Sequence, residues 1–304
     1  ELSMALWAMA KVLGRRQART SSGGGSGLAP EVEKFAISVA EEGAKRLSDF
    51  SPQGLSNIAW ALATLELARL PAARKFVLEA TGRALPELAS FPPQAIANFC
   101  WALGRVDDAG KELATFGVAA GQEALRRESE FSWQDLAGII SSMIHKSFQQ
   151  VPEAQAFAAS IAQRAATCCS SVGNQALLNI ALSCVRLSVS PEALRPMAWG
   201  IAEVFTTRMH RLNDIDLRQW MEVQRYCGLP GTAAPAATYS SGPAATRGSH
   251  HYSNNNNNYH SAAGGYSNNN GSAHQHHHQN QQHQHQRRGA AAGSGGRRNG
   301  GGRR

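Results

Sequence analysis

Apolar residues recur through the first 231 positions with the three-to-four-residue spacing of amphipathic helices. Leu55, Ile58, Leu62 and Leu65 stand at i, i+3, i+7 and i+10 and share one helix face. Ile96, Phe99, Leu103 and Val106 repeat that face, and Leu177, Ile180, Cys184 and Leu187 repeat it again. Between these segments the pattern predicts further helices over about 30–47, 71–88, 111–127, 152–168 and 191–210. Several begin with Pro followed by Glu, as at Pro152-Glu153 and Pro191-Glu192. Proline suits a first turn whose N–H has no partner, and an acid suits the positive end of the helix dipole. No stretch alternates with the two-residue period of a strand, so the expected class is all-α.

The predicted helices come in copies. Ser51-Pro-Gln-Gly-Leu-Ser-Asn-Ile-Ala-Trp-Ala-Leu aligns with Pro92-Pro-Gln-Ala-Ile-Ala-Asn-Phe-Cys-Trp-Ala-Leu, sharing Gln, Asn, Trp, Ala and Leu at the same offsets. Weaker copies begin at Ser132 and Gly173, a degenerate one spans about 213–227, and a truncated one opens the chain at Leu2. Gln53, Gln94, Gln134 and Gln175 lie 41, 40 and 41 residues apart. A period near 40 with two helices per unit indicates an α-solenoid, in which each helical hairpin packs only on its neighbours. The Gly/Ser run at 20–27 reads as a flexible insertion loop in the first repeat. The apolar opening at 2–13 matches the repeat and is therefore not taken as a signal-peptide core. Because residue 1 is Glu and the match begins mid-repeat, a fragment or a processed chain is expected.

Composition divides the chain into a solenoid over 1–231 and a tail over 232–304. The net charge of +8 belongs mostly to the tail, since residues up to 231 hold 23 Lys and Arg against 22 Asp and Glu. The tail is dominated by Asn, Gln, His, Gly, Ser and Arg and has no acid, a composition that cannot bury a core and predicts disorder. Its Arg287, Arg288, Arg297 and Arg298, spaced by glycine, suit nonspecific RNA contact, and its His cluster lacks the fixed geometry of a metal site. Cys100, Cys168, Cys169, Cys184 and Cys227 form no C-x-x-C pair and read as buried thiols, with Cys168–Cys169 as an alternative vicinal redox pair. No apolar run is long enough to span a bilayer.

The pattern Pro-Gln-x-Leu-x-Asn-x-x-Trp-Ala-Leu-Ala, close at 52–65 and 93–106, resembles the octotricopeptide repeat, a helical-hairpin family of organellar RNA-binding factors. The resemblance covers residues 1–227. It implies a curved solenoid binding single-stranded RNA, with successive repeats meeting successive nucleotides. A chloroplast or mitochondrial role in transcript processing, stability or translation is also implied, with other RNA-processing proteins as further partners. The chain departs from some relatives in having no recognisable C-terminal RAP-type or nuclease-like domain.

On a helical wheel Gln53, Asn57, Trp60 and Thr64 stand opposite the apolar face, predicting an amide-and-aromatic recognition side. Asn and Gln pair with base edges and Trp stacks on bases. Asn57, Asn98 and Asn179 are the same residue in each copy, however, so they also read as packing groups, and Trp60 and Trp101 read as inter-repeat packing ahead of stacking platforms. The last stripe position runs Lys11, Thr64, Arg105, His145, Arg186, Tyr226, a basic ladder suited to phosphates, with Lys146 beside it. The candidate RNA contacts are thus Lys11, Asn57, Asn98, Arg105, His145, Lys146, Asn179, Arg186 and the four tail arginines. No nucleophile, metal or phosphate-loop motif appears, so the expectation is a binding protein without catalytic activity, cofactor, metal or small-molecule substrate. A near-neutral solenoid also suits a HEAT- or armadillo-like protein scaffold, and this is the alternative.

Overall fold

The computed structural model describes residues 1–20, 28–148 and 151–230, and among these the chain is all-α. Its helices are α1 (Leu2–Thr20), α2 (Pro30–Lys45), α3 (Pro52–Thr64), α4 (Pro71–Ala84), α5 (Pro93–Leu103), α6 (Gly110–Arg126), α7 (Trp133–Ser142), α8 (Pro152–Ala166), α9 (Asn174–Arg186), α10 (Pro191–Arg208) and α11 (Asp214–Cys227). The odd-numbered helices carry the repeated motif and pack in order, α1 on α3, α3 on α5, and so on to α11. The even-numbered helices form a second layer, with α2 on α4, α6 on α8 and α8 on α10. The short 3-10 turn Leu85–Ser90 contacts both α4 and α6. No described helix is long and apolar enough to cross a membrane. The insertion at 21–27 and the tail lie outside the described residues.

Local chemistry fixes the boundaries. Ser51 caps α3 by accepting from the Gly54 N–H at 3.1 Å. Ser132 with Asp135, and Asn213 with Asp216, form capping boxes on α7 and α11, whereas Gly173 gives α9 no side-chain cap. The motif helices α3, α9 and α11 stop in the same way. Leu67, Val189 and Leu229 donate N–H groups back to the carbonyls of Leu62, Cys184 and Gln224. Each such turn needs one left-handed residue: Glu66 at φ 60°, Ser188 at φ 58° and Gly228 at φ 64°. Only the last has the residue type that adopts this backbone without strain.

The predicted apolar faces are fully buried. Leu55, Ile58, Leu62, Leu65, Ile96 and Phe99 have no exposed surface. Phe99 packs against Phe91 and Phe116 at ring separations of 6.1 and 5.8 Å, and Phe205 meets Trp220 at 5.5 Å. In the even layer, close approach depends on missing side chains. A Cβ on Gly43 would lie 2.8 Å from the Phe76 ring, and one on Gly117 would lie 2.5 Å from Phe148.

Arginines close the hairpins. Arg127 at the end of α6 donates to the Ala89 and Phe91 carbonyls, which lead into α5. Arg164 donates to the Glu128 carbonyl ahead of α7, and Arg208 to Ser170 and Val172 ahead of α9. Bonds between hairpins run the other way, from Arg74 to the Asp107 carbonyl and from Arg195 to the Cys227 carbonyl. Neighbouring units are thereby tied through backbone as well as core.

Candidate nucleic-acid interface

A motif helix inside the stack has a neighbour on either side and an even-numbered helix behind it. Its polar stripe is consequently covered. Asn57 is 4% exposed, Asn179 6%, Trp60 8% and Trp101 7%. Asn57 Oδ1 accepts from Gln53 Nε2 at 2.8 Å, and Asn179 Oδ1 accepts from Gln175 Nε2 at 2.9 Å. The Asn57 amide also reaches the Met4 sulfur of α1 at 3.6 Å. The open amide-and-aromatic face expected from the wheel therefore does not form along α3 and α9, because the wheel describes one isolated helix. Asn98 is half-buried and its Nδ2 has no hydrogen-bond partner.

Lys11 stands in the middle of α1, whereas from Thr64 onward the basic ladder lies at the C-terminal ends of the motif helices, where cations also complement the helix dipole. Its rungs are unequal. Lys11 Nζ sits 4.2 Å from the Trp7 ring centroid. The second rung is the uncharged Thr64, 5% exposed, which separates Lys11 from the rest. Arg186 reaches Glu222 of α11 at 3.2 Å. The sixth rung, Tyr226, donates its hydroxyl to the Val189 carbonyl at 2.8 Å. Lys146 is exposed beside His145.

Arg105 and His145 come together. They line one cleft of about 30 Å³ between the ends of α5 and α7, with Trp101, Gly104, Ser141, Ser142 and Ile144. The Arg105 guanidinium lies 4.1 Å over the Trp101 ring, and its buried Nη2 has no hydrogen-bond partner. Burial holds the Arg105 pKa below its ordinary value, against a weaker opposing pull from the Glu66 charge. His145 is likewise lowered, by burial first and by Lys146 second, so it is neutral at neutral pH. The Ser147 N–H donates to His145 Nδ1 at 3.2 Å, which places the ring proton on Nε2. None of the residues lining this cleft carries a carboxylate.

Sequence reasoning missed Ser142, one residue past the stripe, and the stacking of Arg164 on Trp133 at 4.6 Å. The Trp–Arg pair at i, i+4 in Trp101 and Arg105 was the available signal for the cleft. Arg287, Arg288, Arg297 and Arg298 lie outside the described residues. All five cysteines are free, and burial pushes Cys100 and Cys184 up to about 12 and Cys169 to about 11. Comparison with protein-family models, curated proteins and solved structures finds no match to this chain.

Proposed function

We propose that this chain binds single-stranded RNA along the C-terminal edge of its motif-helix layer. The observation that carries the reading is the α5–α7 cleft, where two basic side chains converge with no carboxylate in the lining. Arg105, His145 and Lys146 supply the central contacts, with Lys11 and Arg186 on flanking helices. Asn57 and Asn179 are buried against Gln53 and Gln175 of their own helices and leave the bases to the edge. The octotricopeptide-like motif wording supports the same reading and suggests an organellar transcript as target, in a chloroplast or mitochondrion. The glycine-spaced tail arginines add a nonspecific electrostatic share.

Titration of the full chain with fluorescent random single-stranded RNA over a salt series tests this. Single-strand binding loses about 0.7 in the slope of log K against log salt per phosphate contact removed. Arg105→Ala with Arg186→Ala should therefore flatten the slope by about 1.4 and weaken binding at low salt. Unchanged affinity and slope in that variant would refute a role for the ladder.

A second reading, a protein scaffold, is favoured by the exposed apolar side chains Trp199 on α10 (52%) and Met221 on α11 (55%). It predicts that Trp199→Ala with Met221→Ala abolishes partner capture and leaves RNA affinity intact.

A further inference from the structure

Of all the ladder positions, the α5–α7 rung alone has a buried cationic donor without an acceptor. Arg105 Nη2 is buried without a partner. His145 keeps its Nδ1 occupied by Ser147, which leaves Nε2–H as the donor of the ring. A desolvated guanidinium hydrogen without an acceptor is costly to retain, and a bound acceptor removes that cost. The nearby helix-end carbonyls are already engaged by backbone N–H groups. Gly104, Arg105 and Val106 already take the Cys100, Ala102 and Leu103 carbonyls, and Met143 and His145 take those of Ile140 and Ser142. Ser142 donates its hydroxyl proton to the Ile139 carbonyl at 2.7 Å. Satisfying these carbonyls also blunts the negative dipole ends that would oppose an anion. What the cleft lacks is a small, acceptor-rich, negatively charged group.

We infer that the α5–α7 cleft anchors one phosphate group, with Arg105 Nη2 and His145 Nε2 as its donors and the Trp101 ring holding the guanidinium in place. The cleft is a single anchor rather than one step of a continuous track. On one side the next rung is the buried Thr64, and on the other Arg186 pairs with Glu222 in the free protein and must exchange that partner for a phosphate. A phosphate oxygen enters the cleft, whose 30 Å³ accommodates a group the size of one water, while the rest of the phosphate stays at the mouth. This deepens the RNA reading and rests on it only for the source of the phosphate, which is an internal phosphodiester, a terminal monophosphate or a free phosphorylated molecule.

The test is the thermal midpoint of the full chain in inorganic phosphate against chloride of equal ionic strength. Phosphate stabilises most proteins by exclusion from their surface, and every variant shares that part. The site-specific part should be present in wild type and in Arg126→Ala, a control in the other layer. It should vanish in Arg105→Gln and in His145→Ala. Arg105→Gln keeps a stem over Trp101 and discards a charge without an acceptor, and helical circular dichroism checks that both variants fold. Equal phosphate increments in all four proteins would overturn the anchor, and RNA binding that survives in the same variants would leave the ladder standing without it. If the increment is lost in both variants, oligonucleotides with and without a 5′-phosphate then separate the sources. Tighter binding of the phosphorylated form, by tenfold or more, identifies a terminal phosphate, and equal binding identifies an internal one. A specific phosphate increment without RNA binding at any salt would keep the anchor and refute the RNA reading.

Discussion

Replacing glycine by alanine within a helix should have opposite effects at two positions of this solenoid. Gly82 in α4 is exposed, and a Cβ there would meet nothing within 4 Å. Alanine gains the helix-propensity difference of about 0.8–1 kcal/mol, less near a helix end, so Gly82→Ala should stabilise by about 0.5–1 kcal/mol. Gly117 in α6 is buried, and the added methyl would stand 2.5 Å from Phe148 Cζ and 3.1 Å from Cε1. Ordinary carbon contacts lie near 3.5–4.0 Å, so the ring must retreat by about 1 Å. Phe148 is 1% exposed and has no space to yield. Overpacking of this kind costs about 1–3 kcal/mol, which offsets the propensity gain and leaves Gly117→Ala destabilised by up to about 2 kcal/mol. The assay is urea unfolding followed by circular dichroism at 222 nm, with Phe148→Leu added to complete a double-mutant cycle. Adding Gly117→Ala to the Phe148→Leu background should cost at least about 1 kcal/mol less than adding it to wild type. A Gly117→Ala protein as stable as Gly82→Ala would refute the close layer contact on which the calculation rests.

Four other outcomes follow from the same geometry. Ser188→Gly should stabilise by about 0.5–1 kcal/mol in the same unfolding assay, because Ser188 holds φ 58° without glycine's freedom. Arg127→Ala should cost about 2–3 kcal/mol, since it frees two turn carbonyls and strips Glu123 and Glu130 of a half-buried partner; Arg126→Ala, on the exposed side, should cost under about 0.5 kcal/mol. Burial raises the Asp135 pKa above its ordinary value of 3.8, so the native state binds that proton more tightly than the unfolded chain. The Asp135 contribution to stability is therefore greatest below pH 3.8 and is lost as pH rises through the raised value, and Asp135→Asn should compare better with wild type at pH 7 than at pH 3. Arg105→Gln should leave stability unchanged or raise it by up to about 1 kcal/mol in ligand-free buffer, whereas a purely dipole-compensating arginine would make the variant less stable.

The helices were legible because the information for them is local. Apolar spacing, proline in first turns and serine or asparagine caps act over a few residues, and the predicted even-numbered helices all appear within a few residues of their expected bounds. Stacking was legible from the repeat itself. What the sequence concealed was the second neighbour. Asn57 and Trp60 are polar and aromatic positions opposite a leucine face, which for a lone amphipathic helix means solvent, yet α1 and α5 close over α3 from both sides. The left-handed turns at Glu66 and Ser188 were hidden for another reason, since neither residue type advertises positive φ. Only Gly228 carries the usual signal, and its register shows the other two once the repeats are aligned.

That double coverage also determines where function can reside. A residue that meets the same neighbour in every repeat is constrained to the same identity, which accounts for the recurring Gln–Asn pair and the recurring Trp. Information that differs from repeat to repeat must sit where the shared contacts end. Along the motif helices that place is the C-terminal edge, and there the residue changes from each rung to the next: Thr64, Arg105, His145, Arg186 and Tyr226. The motif helices run parallel, so this edge gathers the negative ends of several dipoles, and a row of cations there is favourable before any ligand arrives. Dipole compensation needs the charge to be near, however, and is indifferent to burial. It explains the exposed Lys146 and leaves unexplained why Arg105 is desolvated over Trp101 with a donor unused. A group held at such a cost to the free protein, among residues that include no acid, is best accounted for by a ligand that supplies the missing acceptor.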